Sequence, residues 1–390
     1  MLKVQPVILA AGKGSRMQNN TSKALCKIAE KPMLQHILDA ICNLSNMDEI
    51  DLTEAVIVVG HKSEEVIKST PLHHSIQHKY IEQKKQLGTG HAIKIASTQL
   101  DPEAIVIVLY ADVPLIEPKT LLSTIQKAHQ NGFSLITVHL EEASGYGRII
   151  RDNQLITSIV EHKDANIEQL KIQEVNTGIL AAKGKDLARW SNSLKNENNQ
   201  GEYYLTDVIA MAVNEGYRIA DTQPSHEEEV MGVNTLVQLA QAERSYQLNQ
   251  ANKLMNKGVQ LADPNRIDIR GKLDFGSNCY IDVNTVFEGQ IQIGDNVVIE
   301  ANCVIRNSTI GNNCIIKANS YIEKATLADK VVVGPFARLR EGTNCSEGSK
   351  IGNFVETKKV NIGANTKVNH LSYIGDAELG EQVNLSLIHI

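Results

Sequence analysis

The sequence predicts an α/β domain followed by a parallel β-helix, on three observations. Short β-branched runs alternate with helix-like stretches up to about residue 236, a long segment free of interior Gly and Pro follows, and aliphatic residues then recur every six positions. At 390 residues the chain is about twice the usual domain length, so two separate cores are expected.

In the first part, VQPVILAA, AVIVVGH, AIVIVLYAD and FSLITVHL read as buried strands, and LQHILDAICNL and TLLSTIQKAH as amphipathic helices. Apolar strands separated by such stretches imply a sheet covered by helices on both faces, with residues 1–236 forming this domain. Val237 to Gly258 carries many good helix formers and reads as a connecting helix. From residue 259 the period is six: Ile293, Ile299, Ile305; one residue early, Ile310, Ile316, Ile322; then Leu327, Val333, Leu339; and later Ile362, Val368, Ile374. Ile-Gly or Val-Gly pairs, from Ile293-Gly294 to Ile374-Gly375, are taken to mark coil starts. Three six-residue steps per coil describe a three-sided solenoid whose inward aliphatics stack into one core.

Composition excludes several functions. The six cysteines are scattered, with no C-x-x-C pair and no grouping with histidine, which argues against a zinc site or a disulfide framework and for a reduced, cytoplasmic protein. The longest strongly apolar run, Ala104 to Ala111, is too short to span a bilayer, and a strand beginning by Val4 leaves no room for a signal peptide. A net charge of −6 gives no footprint for nucleic acid, so an anionic ligand must be held by local groups.

The stretch VILAAGKGSRM, Val7 to Met17, leaves a strand through a glycine-rich turn, where exposed backbone N–H groups can approach phosphate oxygens. It is neither a P-loop nor a dinucleotide fingerprint, since the last glycine of G-x-G-x-x-G is replaced by Met17. The longer string LAAGKGSRM, followed by Lys23 and EKPMLQH, resembles the signature of sugar-nucleotidyltransferases. QLGTGHA, LYADVPL, GYGRI, IVEHKDA, EVNTGIL, GEYYLTD and GVN follow in the order of that signature. With the solenoid behind them, residues 3–384 resemble the bacterial bifunctional family that joins N-acetylglucosamine-1-phosphate uridylyltransferase to glucosamine-1-phosphate N-acetyltransferase. The resemblance implies a Rossmann-like nucleotidyltransferase domain, a left-handed β-helix of hexapeptide repeats over 259–384, and synthesis of UDP-N-acetylglucosamine.

It also implies roles for individual residues. Leu9, Ala10, Ala11 and Gly12 present backbone to the nucleotide, while Arg16 and Lys23 neutralise the triphosphate. Asp112, at the carboxyl end of an apolar strand where open α/β sheets place ligand groups, pairs with Asn234 to hold magnesium. Gln83 and the Gly88-Thr89 turn reach the uracil; Tyr110, Ala111, Gly147, Glu161 and Asn176 read the sugar, Gly147 because a residue without Cβ lets a sugar lie against the backbone. Ser22 stands where the family usually has proline, which loosens the backbone before Lys23. In VNHLSYIGDAELG, His370 is the base for acetyl transfer from acetyl-CoA, a neutral imidazole being suited to deprotonating an amine. Tyr373 and Asn384 accompany it, with Arg338 and Lys358 gripping the sugar phosphate. Other histidines, such as His73, His74 and His129, lack such context and are read as solvated.

After Asn384 the chain ends LSLIHI, where the family continues with further coils that form the coenzyme A site. These residues are expected to break the six-residue phase, and they match the in-frame translation of the transposase adapter CTGTCTCTTATACACATC; residues 385–390 are therefore expected to be non-native. On that reading uridylyl transfer is kept and acetyl transfer is weak or lost, the β-helix ending on unpaired strand edges. The full-length relative is implied to be a homotrimer acting on UTP, N-acetylglucosamine 1-phosphate and glucosamine 1-phosphate. Pyrophosphorylases for other sugar nucleotides and non-catalytic scaffolds share both architectures; QLGTGHA and VNHLSYIGDAELG weigh against the first, and the retained Arg16, Lys23, Asp112 and Asn234 against the second.

Overall fold

A computed structural model describes residues 1–12, 14–17, 21–47, 49–70 and 76–385. His73, His74 and all of the 385–390 tail except Leu385 lie outside them. The chain divides into two compact units, Met1–Ala242 and Glu243–Ile390, so the boundary falls inside the predicted connecting helix.

In the first unit a sheet runs in the order Leu155–Val160, Arg148–Asp152, Glu174–Lys183, Ile105–Tyr110, Leu2–Ala10, Ala55–Val59, His78–Glu82. The last four strands are parallel, and Glu174–Lys183 joins them antiparallel, followed by an antiparallel hairpin. The hairpin turns at Asn153 and Gln154, both at positive φ as a twisted two-residue turn requires. Alternation along the first strand explains why its apolar run is continuous. Val4, Ile8 and Ala10 pack with Leu34, Ile37 and Ile41 of the helix Met33–Ser45 and with Leu121 and Ile125 of the helix Pro118–Asn131. Val7, Leu9 and Ala11 pack the other way, with Ala92, Leu187, Trp190 and Val208 on three further helices. Both faces are therefore covered, and each fully buried aliphatic side chain contributes about 1.5–3 kcal/mol.

The second unit begins in the helix Leu236–Asn256, whose Thr235 hydroxyl accepts from the Gln238 N–H at 3.2 Å. The helix ends two residues before the predicted Gly258. It is also more than a connector: Ala251 and Leu254 join the β-helix core, and the Gln247 amide bonds both the N–H (2.7 Å) and the carbonyl (3.1 Å) of Ile269. It thus closes the first coil, as a solenoid end requires.

All coil-to-coil pairings are parallel, with partners 17 or 18 residues apart, as in Ile299 with Ile316 and Val333 with Ile351, except at the start, where Gln260 and Leu261 pair 20 residues on with Tyr280 and Ile281. Three inward columns result: Ile281, Ile299, Ile316, Val333, Ile351, Val368; Phe287, Ile305, Ile322, Leu339, Thr357, Ile374; and Ile293, Ile310, Leu327, Cys345, Ile362, Leu379. The Ile-Gly and Val-Gly pairs fall in all three columns, so they do not mark equivalent coil starts. Leu385 corrects a second expectation, since it keeps the phase and pairs with Val368. Corners are made by residues at positive φ, above all Asn278, Asn296 and Asn313 and Asn284, Asn302 and Asn319. Asparagine tolerates that region, and the side chains bond from coil to coil, Asn278 to Asn296 at 2.8 Å and Asn284 to Asn302 at 2.9 Å.

Candidate active sites

The first site forms where the two central strands of the first unit end together, the Ala111 N–H donating to the Leu9 carbonyl at 3.0 Å. Asp112 follows directly, and its carbonyl accepts from the Val233 N–H at 2.8 Å, which lays the GVN segment alongside it. Lys23 Nζ then bonds both Asp112 Oδ2 and, at 2.7 Å, Asn234 Oδ1; Arg16 Nη2 donates to the same Asn234 oxygen at 2.8 Å. Four residues predicted to act together are thus in contact. Gly14, at φ 61, has no room for a Cβ, which would stand 2.9 Å from that of Lys23, so the glycine lets the turn fold over the lysine.

A cavity of about 320 Å³ opens beside this cluster, lined by Leu9, Ala10, Ala11, Gly12, Lys23, Gln83, Gly88, Thr89, Tyr110, Ala111 and Asp112 among the predicted residues. Gln86, Ala24, Ala92 and Glu202 also line it and were not predicted. The first and last lie in QLGTGHA and GEYYLTD, and these two segments clasp one another: Tyr203 N–H donates to the Leu87 carbonyl and Gly90 N–H to the Tyr203 carbonyl, each at 2.8 Å. Gly88 sits at φ 103 with the Tyr203 carbonyl where a Cβ would be, 2.6 Å away.

The sugar-reading residues also converge. Asn176 N–H donates to the Gly147 carbonyl at 2.9 Å, and Gly147 faces Glu161. A Cβ on Gly147 would come within 2.9 Å of Ile159, a packing reason for glycine besides the predicted one. Burial pushes the Glu161 carboxyl above its usual range, against the Thr206 hydroxyl that donates to it at 2.9 Å. The Tyr110 phenol is pushed up too, by burial first and then by the negative charges of Asp112 and Glu161. Its ring covers Gly178, at φ 88 and missed by sequence reasoning, where a Cβ would stand 2.7 Å from the ring.

On the β-helix the predicted set is only partly assembled. Arg338, Glu356 and Tyr373 share one outward row, while Lys358 stands in the next, opposite Gly375. Arg338 lies over the Tyr321 ring, 5.9 Å from its centroid, and 3.8 Å from Glu356. Arg340, not predicted, is the arginine beside Lys358: its N–H donates to the Thr357 carbonyl at 2.9 Å, and its guanidinium bonds Glu356 at 2.8 Å. That row alternates in sign through Arg270, Glu288, Arg306 and Glu323 and breaks where Arg340 and Lys358 adjoin. Like charges in neighbouring positions repel unless an anion lies between them. His370 pairs with Asn353 near the adjacent corner, Tyr373 is 62 % exposed, and Asn384 accepts from Asn369 at 2.8 Å. The remaining histidines are not uniformly solvated. His129 is exposed, but His36 is buried and bonds the Ile28 carbonyl at 2.9 Å, and His91 bonds Gln83.

Residues 6–170 match the MobA-like NTP transferase domain, and residues 269–385 the GMPPB C-terminal domain. The chain is 47 % identical over 386 residues to the bifunctional protein GlmU of Marinobacter nauticus, covering 99 % of this chain and 83 % of that one. It belongs to the GlmU family. To the GlmU proteins of Paraburkholderia xenovorans and Paraburkholderia phytofirmans it is 46 % identical over 380 residues, covering 82 % of each. As a GlmU-family member it is a bifunctional transferase of UDP-N-acetylglucosamine synthesis, nucleotidyltransferase and acyltransferase in one chain. Crystal structures of UDP-glucose pyrophosphorylase, with UDP-glucose and in the apo form, superpose with TM-scores of 0.50 and 0.51 at 18 % and 17 % identity. They cover 63 % and 64 % of this chain and 98 % and 100 % of their own, and at that identity they show the fold alone. Among the described residues no helix is long and apolar enough to cross a membrane.

Proposed function

We propose that the first unit joins UTP to N-acetylglucosamine 1-phosphate at the Asp112–Asn234–Lys23–Arg16 cluster. A phosphate oxygen of the sugar attacks the α-phosphorus, the bond to the β-phosphate breaks, and pyrophosphate leaves. No protein nucleophile is needed; two anions must be brought together and their charge balanced. Arg16 and Lys23 supply fixed positive charge, and the backbone from Leu9 to Gly12 borders the nucleotide. Asp112 Oδ2 and Asn234 Oδ1 converge on one cation, the Lys23 amine, which stands in for a harder one. Two oxygen donors with few other protein ligands fit magnesium, which when bound shares its coordination with substrate phosphates and offsets their charge. Glu161, Asn176 and the Gly147 backbone hold the sugar, and Gln83 with Gly88-Thr89 the base.

The observation that carries this reading is Lys23 Nζ bonded to both Asp112 and Asn234. The test is incubation with magnesium, UTP and either N-acetylglucosamine 1-phosphate or glucose 1-phosphate, with products identified by mass spectrometry. UDP-N-acetylglucosamine is expected as the main product; equal turnover of both sugar phosphates would contradict the assignment.

The second unit, on the same proposal, moves an acetyl group from acetyl-CoA to glucosamine 1-phosphate. The amine attacks the thioester carbon, the C–S bond breaks, and His370 takes the amine proton. Arg340 and Lys358 form the anion site for the sugar phosphate, and Arg338 stacks on Tyr321 instead. Phe336, Phe354 and Leu371 are exposed along the corner next to His370, with the two phenyl rings stacked at 5.3 Å. That apolar corner supports side-by-side packing of β-helices in a homotrimer.

A further inference from the structure

Gln83 is only 3 % exposed, yet it lines the nucleotide cavity. Its Nε2 donates to the Gly88 carbonyl at 3.1 Å and meets His91 Nδ1 at 3.0 Å. A carbonyl oxygen can only accept, so the amide end facing the Gly88 turn must be the nitrogen. The other end, Oε1, receives no protein donor among the described residues and is not one of their sealed, unpaired atoms, so it is the part of the side chain left for a ligand.

His91 holds this orientation. Its Nδ1 can accept from Gln83 only while the ring proton sits on Nε2. Burial, and then the Lys94 charge, hold the imidazole below its usual pKa, which keeps it neutral. The Tyr203 ring packs 6.0 Å away and restricts the imidazole further. Protein groups thus take up both amide protons of Gln83, and a flipped amide would set its oxygen against the Gly88 carbonyl and the His91 lone pair.

We infer that His91 is a positioning residue for nucleobase choice: it locks Gln83 so that the amide oxygen faces the base and selects a pyrimidine ring that carries an N–H donor. This rests on the uridylyltransferase reading. Uracil offers such a donor at N3, whereas cytosine presents a bare N3 lone pair that would oppose Oε1. A site whose buried polar group is left unpaired by the wrong partner discriminates strongly against it.

The test compares kcat/KM for UTP and CTP, with N-acetylglucosamine 1-phosphate and magnesium, in the full chain and its variants. His91→Phe keeps the ring packing against Tyr203 and removes the acceptor, and it should lower the UTP:CTP ratio by about 10-fold or more, chiefly through the nucleotide KM. His91→Asn, whose side-chain oxygen can still accept, should bring the ratio back to within about threefold of the parent. Should the Phe variant fail to fold by circular dichroism, His91→Leu carries the same expectation. A parental ratio in a folded Phe or Leu variant overturns the inference, even if both nucleotides are used more slowly, because a merely structural role would slow both alike. A parent chain that turns over neither nucleotide would instead remove the uridylyltransferase reading and the inference with it.

Discussion

Burial pushes the Glu161 carboxyl above its ordinary value of 4.5, and Asp207, Asp164 and Glu202 push the same way. A carboxyl with a raised folded pKa contributes stability that is fully present below the unfolded value of about 4.5 and is lost as pH rises through the folded value. At neutral pH the ionised group therefore costs stability, while its oxygens are what a sugar hydroxyl needs. Glu161→Gln should raise Tm at pH 7.5, lose that gain by pH 4, and lower kcat/KM for N-acetylglucosamine 1-phosphate about tenfold or more. Thermal melts at the two pH values with steady-state kinetics check this, and an unchanged kcat/KM would refute the sugar-binding role. Ser22 offers a second case. Its φ of −55° and ψ of 137° are those proline adopts, and its buried hydroxyl has no partner among the described residues. Ser22→Pro should stabilise by about 0.4–1 kcal/mol, seen as a higher Tm, with activity kept. At this scale the sequence disclosed the groups with distinctive chemistry, such as Lys23, Asp112 and Glu161, because ordered motifs surround them. Gly178 and Gln86 were not legible: one depends on where the Tyr110 ring comes to rest, and the other is a neutral side chain beside a more conspicuous glycine turn.

For whole elements, periodicity was the dependable signal. The six-residue rhythm located the three inward columns because an aliphatic side chain is required at each, but it passed over the coil in which Cys345 and Thr357 take those places. Thr357 is accommodated by a hydroxyl contact with Thr343 at 3.0 Å, a partner no period predicts. The role of the helix Leu236–Asn256 as a closing cap was also hidden, since it depends on Gln247 meeting a strand edge. The distinction between Arg338 and Arg340 is hidden in the same way, as only cross-strand register separates the two outward arginines flanking Leu339. The columns carry a prediction about thiols. Burial pushes Cys303 and Cys314 up to about 11 and Cys345 up to about 12, so none forms a thiolate near neutral pH. Iodoacetamide at pH 8, followed by peptide mass spectrometry, should leave these three unlabelled in the native chain and label them in urea. Rapid native labelling of Cys345 would mean that the column is not closed.

Over the whole molecule, the first site draws its groups from four distant parts of the chain: Arg16 and Lys23 after the first strand, Gln83 to Thr89 ahead of a helix, Asp112 after a central strand, and Asn234 just before the long helix. Order along the sequence could name these groups but not their contacts, which arise from parallel strands ending together and from the Val233 bond that draws the GVN segment to Asp112. In the proposed function, Asp112 and Asn234 hold a divalent cation where Lys23 and Arg16 balance two repelling phosphates. Pyrophosphate release from UTP and N-acetylglucosamine 1-phosphate with magnesium, comparing the intact chain with Asp112→Ala, tests it most directly. A loss of about 100-fold or more in kcat/KM is the predicted result; a rate equal to that of the intact chain would contradict it.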